Sequence, residues 1–149
     1  MKRSTAIEEP ERLFIDTWGW LVLADARDPF HARAVATRRA RSKPGGLVTT
    51  DYVLDEFLTR LFARCHFDQA RQFSDAILEA AAVGLLVIER ISAARFASAY
   101  RLRLRYHDKP DISFTDLTSF AVMKETGVRD VLTGDAHFKQ AGLGFRQLP

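Results

Sequence analysis

Four elements of this sequence begin or end on an acid. Asp16 closes the apolar run LFI, and Asp51, Asp55 and Glu56 open the helical pattern that follows LVTT. Asp116 lies in the first turn of a helix beginning at Phe114, and Asp135 follows VLTG. Each has an ordinary structural use. Asp16 can be a strand-end turn residue, Asp51 an N-cap, and Asp135 a turn residue after Gly134. Asp116 can partner Ser113 in a capping box with Asp in place of the usual Glu. Taken jointly these uses are less comfortable, because carboxylates brought together raise one another's pKa and cost stability unless a cation stands among them. An all-carboxylate set without histidine or cysteine suits a hard divalent cation, Mg²⁺ or Mn²⁺, which takes oxygen ligands and keeps several waters. Such a cation activates water and stabilises the charge of a phosphodiester under attack, so the residues point toward a metal-dependent nuclease.

Whether the acids meet depends on the elements that carry them. Apolar spacing predicts strands at 13–15, 47–50, 85–88 and 130–133, with a short terminal strand within 142–148. The third has the look of a strand buried on both faces. Helices are expected at 17–24, 29–41, 51–64, 68–82, 92–105 and 114–126. Asp28-Pro29, Asp51 and Ser113 supply starts, and Pro44-Gly45-Gly46, Gly84 and Gly127 supply stops. Strands of about four residues separated by helices imply parallel pairing through right-handed crossovers, with helices on both faces of a small sheet, an α/β class fold. Ligands of such sheets bind at the carboxyl ends of the strands, where Asp16 and Asp135 are placed. Asp116 shares a helical side with Phe120 and Met123, which draws it toward the apolar flank. Periodicity does not choose between Asp55 and Glu56.

At 149 residues and 47% hydrophobic, the chain has the size and composition of one domain. A flexible amino-terminal segment, residues 1–11, precedes a single domain at 12–149. No apolar run approaches the length of a membrane span, and the amino terminus lacks the pattern of a signal peptide, so a cytoplasmic location is expected. The lone Cys65 is read as a small core residue. The four histidines lack the spacings that place two ligands on one helical face, which disfavours a histidine-bound zinc. Net charge is only +3, yet Arg33, Arg38, Arg39, Arg41 and Lys43 crowd one segment and Arg101, Arg103 and Arg105 another. Such clusters can neutralise the phosphates of RNA, with Arg38, Arg39 and Arg41 as the leading candidates, or they can be solvated helix faces.

The stretches FIDTWGW, TTDYVLDEFLTRL, SFTDLTSFAVMKETGV and VLTGDAHF, in this order and at these separations, resemble the PIN-domain family, and within it the VapC-type toxins of toxin-antitoxin modules. The resemblance covers nearly the whole chain from about Leu13 to Leu148. It implies a three-layer α/β/α sandwich with a small parallel sheet and Mg²⁺- or Mn²⁺-dependent ribonuclease activity. It further implies an antitoxin partner and, often, a homodimer. Its acidic positions fall on Asp16, Glu56, Asp116 and Asp135 as catalytic metal ligands, with Asp55 a bystander and Thr17 and Thr133 in supporting places. A haloacid dehalogenase-like phosphatase would want a second Asp two positions after Asp16, where this chain has Trp18. A binding module of the same fold that holds RNA or a partner without cutting is the remaining alternative.

Overall fold

A computed structural model describes residues 11–149, and its centre is a five-stranded, wholly parallel sheet in the order β3-β2-β1-β4-β5. The strands are β1 (Leu13–Ile15), β2 (Leu47–Thr50), β3 (Leu86–Glu89), β4 (Asp130–Leu132) and β5 (Arg146–Leu148). Phe14 pairs with Val48 on one side and Val131 on the other, so β1 lies between two hydrogen-bonded neighbours and all three of its residues are fully buried. The strands are joined by α1 (Thr17–Ala24), α2 (His31–Arg39), α3 (Asp51–Arg64), α4 (Phe67–Ala82), α5 (Ala93–Arg105), α6 (Phe114–Thr126) and α7 (His137–Gln140). From β1 the chain adds β2 and β3 in one direction, then crosses back to add β4 and β5 in the other. Right-handed crossovers running in opposite directions put their helices on opposite faces, which makes the three-layer sandwich.

Local chemistry explains most helix ends. Ser92 and Ser113 accept from the backbone N–H of Arg95 and Asp116, and Gly127 closes α6 in the left-handed region. The start of α3 differs from expectation. Thr50 caps it, accepting from Val53 N–H, and the Asp51 carboxylate instead takes the N–H of Ile91 at 3.0 Å, tying the start of α3 to the segment after β3. Nor does Asp28 cap α2: its carboxylate accepts from Phe30 N–H in a turn, and the helix begins at His31. The third strand is not buried on both faces. It is a sheet edge in which Leu86 is buried while Val87, Ile88 and Glu89 are only half-buried.

At the amino-terminal edge of the strands a second acid, Asp130, is completely buried as the first residue of β4. It is neutralised from two sides, by Arg41 Nη2 at 3.0 Å and Arg146 Nε at 2.6 Å. Arg41 also donates to the carbonyls of Thr37 and Glu11, and Glu11 pairs with Arg129. Residues 1–10 of the expected flexible segment lie outside the described residues, and Glu11 belongs to this anchored edge. Cys65 follows α3 half-buried against the core, close to its expected role. No helix among the described residues is long and apolar enough to cross a membrane.

Candidate metal centre

β1 is the strand at which the sheet reverses direction, and the crevice beyond the carboxyl ends of β1 and β4 is where such a fold leaves room for a ligand. Asp16 is the first residue past β1 and only 5% exposed. One carboxylate oxygen caps α1 by accepting from Gly19 N–H at 2.9 Å, and the other accepts from the Thr133 hydroxyl at 2.5 Å. The close approach of α1 to β4 depends on Gly19, because a Cβ there would stand 2.5 Å from the Leu132 carbonyl oxygen. Burial is the main reason that the Asp16 carboxyl is pushed up to about 7, and the neighbouring charges of Asp116 and Asp135 add to it against the two hydrogen bonds.

Asp116 and Asp135 reach the same crevice from α6 and from the loop after β4. Thr133 bridges the two halves: its hydroxyl oxygen donates to Asp16 and accepts from Asp135 N–H at 2.9 Å. Asp135 in turn accepts from its neighbour's backbone, His137 N–H, at 2.9 Å. The His137 ring places Nδ1 3.2 Å from Asp116 Oδ2 and 3.0 Å from Asp135 Oδ1. Phe138, the next residue, is 1% exposed and packs edge-to-face on Phe120 at 4.9 Å, one helical turn beyond Asp116. That aromatic pair fixes α7 against α6 and so sets the distance between His137 and Asp116. Asp116 is likewise raised to about 7, by burial first and by Asp135 second, with His137 opposing. Its carboxylate bonds to His137, while the cap of α6 is supplied by Ser113.

Of the four acids expected from sequence, the fold therefore brings Asp16, Asp116 and Asp135 together. Glu56 stands on α3 in an i,i+4 pair with Arg60 at 3.1 Å, and Asp55 is exposed. Thr133 lies between Asp16 and Asp135, hydrogen-bonded to both. Thr17 is buried as the first residue of α1. The arginine cluster lies elsewhere. Arg41 is a counter-ion of buried Asp130, its guanidinium 14% exposed and bonded to that carboxylate. Arg38 lines an apolar cavity of about 230 Å³ with Leu47 and Leu86, at the starts of β2 and β3, and Arg39 beside it is exposed. Both lie toward the strand starts, opposite the acids. His137 is the residue that sequence reasoning missed. An acid set free of histidine was expected, and the signal for His137 was its position two residues after Asp135.

The donor set fits a divalent cation. Asp116, Asp135 and His137 each offer one ligand atom within 4.8 Å of the others, and Asp16 stands close enough to feel both acids. Carboxylate oxygens with one imidazole nitrogen suit Mg²⁺ and, more readily, the first-row transition cations.

A parallel sheet reversing at β1, with acids gathered on its carboxyl edge, is the architecture of the PIN domain, and the PIN family model matches residues 13–143. The chain belongs to that family. It is 35% identical over 133 residues to the 23S rRNA-specific endonuclease VapC20 of Mycobacterium tuberculosis, spanning 87% of this chain and 94% of the relative. The crystal structure of that VapC20, described as a sarcin-ricin loop cleaving toxin, matches with a TM-score of 0.74 at 32% identity over 87% of this chain and 95% of that one. FitAcB from Neisseria gonorrhoeae matches over 92% of this chain and 96% of its own with a TM-score of 0.62, and at 17% identity it shows the fold alone.

Proposed function

We propose that this protein is a metal-dependent endoribonuclease, the toxin of a toxin-antitoxin pair, whose substrate is structured ribosomal RNA with an exposed single-stranded loop. The observation that carries the reading is the meeting of Asp16, Asp116 and Asp135 at the sheet reversal, where burial and mutual repulsion hold two of the carboxyls near 7. Such an arrangement is costly for the fold and is relieved by a bound cation. The likeness to VapC20 supports the RNA class, and the oxygen-rich donor set supports Mg²⁺ or Mn²⁺.

When bound, the cation supplies an activated water and neutralises charge on the phosphodiester. The protein's own groups position and restrain. Asp116 and Asp135 are the inner carboxylates, within hydrogen-bond reach of each other. Asp16 is oriented through both oxygens by Gly19 and Thr133. Thr133 keeps the β1 and β4 loops in register, so a change in one carboxylate is felt by the other. Glu56 completes the acidic edge from α3 once it is released from Arg60. An antitoxin that covers this edge, and assembly of two copies of the chain, complete the reading; size-exclusion chromatography of the chain alone and with its genomic neighbour tests both. The activity itself is tested by incubating purified protein with 23S rRNA in EDTA, Mg²⁺ or Mn²⁺. Cleavage that is equal in EDTA and metal, in a preparation free of other nucleases, would remove the metal from the account.

A further inference from the structure

We infer that His137 is a direct ligand of the bound cation through Nδ1, and that this nitrogen makes the site select Mn²⁺ over Mg²⁺. The inference rests on the reading of this crevice as a metal centre and adds to it a residue outside the four acids. Its basis is geometric. Nδ1 faces two carboxylates at once, at 3.0 Å and 3.2 Å. An imidazole nitrogen carries at most one hydrogen, so it cannot donate a full hydrogen bond to both. One cation among the three atoms satisfies all of them together. Ligand bonds of about 2.1 Å at right angles set neighbouring ligand atoms about 3.0 Å apart, and that is the spacing the nitrogen keeps from each oxygen here.

The ring is held for this purpose. Asp135 Oδ1 accepts the backbone N–H of His137, which fixes the residue to one of its own carboxylate neighbours. Phe138 anchors the next position in the core. His137 itself is three-quarters buried at its side chain, so the imidazole has little freedom to swing into solvent. Mg²⁺ favours an all-oxygen octahedron and sheds water reluctantly, whereas imidazole nitrogen is a good donor for later divalent metals. One nitrogen in an otherwise oxygen set therefore tilts the choice toward Mn²⁺ without excluding Mg²⁺.

The test is spectroscopic and thermodynamic, and it does not depend on turnover. The full chain, labelled with ¹⁵N-histidine, is loaded with Mn²⁺ and examined by pulsed electron paramagnetic resonance. Mg²⁺ and Mn²⁺ affinities are measured by titration calorimetry for wild type and for His137→Gln, which retains a hydrogen-bonding side chain at a partly exposed position. The expected result is a histidine-nitrogen coupling in wild type that vanishes in the variant, with a Mn²⁺-over-Mg²⁺ affinity ratio that falls in the variant. Mn²⁺ binding without nitrogen coupling, and with an unchanged ratio, would overturn the inference and leave His137 as a counter-ion of the acids while the metal centre stands. Failure of either cation to bind wild type would overturn the metal centre as well.

Discussion

Replacing Asp116 by Asn removes one negative charge from the crevice at almost constant shape. In the metal-free protein the Asp116 carboxyl is raised to about 7 from its ordinary 3.8. An acid that binds its proton more tightly when folded stabilises the fold fully below its unfolded pKa and loses that contribution as the pH rises to its folded pKa. The loss therefore accumulates between about 4 and 7 and is complete above 7. At about 1.4 kcal/mol for each pH interval of one, the ceiling is on the order of 4 kcal/mol. Because Asp135 shares the repulsion and relaxes with it, roughly half of that, about 2 kcal/mol, is the expected gain for Asp116→Asn at pH 8. In a chain of this size that raises the Tm by about 4–8 °C. The gain should shrink to about a third at pH 5 and vanish well below the unfolded pKa of 3.8, where the wild-type carboxyl is neutral in both states. Metal reverses the order: saturation at roughly 100 times the Kd stabilises wild type by about 2.7 kcal/mol, and the increment should be smaller in the variant. Thermal melts of both proteins in EDTA at pH 5 and pH 8, then with Mn²⁺ at pH 8, measure every quantity. A variant less stable than wild type in EDTA, by an amount that does not change with pH, would return Asp116 to ordinary helix-end chemistry and refute the reasoning.

Two other substitutions test the frame around the site. Arg41→Gln leaves buried Asp130 with Arg146 alone, and urea unfolding should show a loss of about 2–4 kcal/mol while the salt dependence of RNA binding stays unchanged; a flatter salt dependence with intact stability would make Arg41 an RNA contact after all. Gly19→Ala forces a methyl against the Leu132 carbonyl, so it should cost about 1–3 kcal/mol and weaken cation affinity in calorimetry, because Asp16 loses the N–H that orients it; unchanged affinity would show that the Asp16 cap does not position a ligand.

Much of the frame was legible because it is written in short-range chemistry. The runs LFI, LVTT and DVL marked three central strands, and Ser113 and Gly127 announced helix ends through a side chain or backbone freedom that acts within a turn. The edge position of β3 was not legible, since an apolar run reads alike whether one face or two are covered. The partners of Asp51 and Arg41 were not legible for a common reason: both lie far away in sequence, Ile91 N–H and the Asp130 carboxylate, which no local pattern predicts. At the site, Asp16 and Asp135 followed from the rule for parallel sheets. His137 did not, because its meeting with Asp116 depends on the packing of Phe138 against Phe120. The stretch VLTGDAHF thus combines a strand, an acid, an imidazole that faces two carboxylates and a core anchor in eight residues.

A cation held by Asp16, Asp116 and Asp135 should be what makes the protein cut RNA. The most direct measurement maps cleavage of 23S rRNA by primer extension, with wild type and Asp116→Asn compared across a titration of Mn²⁺ into EDTA-treated protein. A discrete cut by wild type should appear with the cation and be lost in the variant, although the variant melts at higher temperature in EDTA. A cut that persists in Asp116→Asn, or that forms before any cation is added, would contradict that expectation.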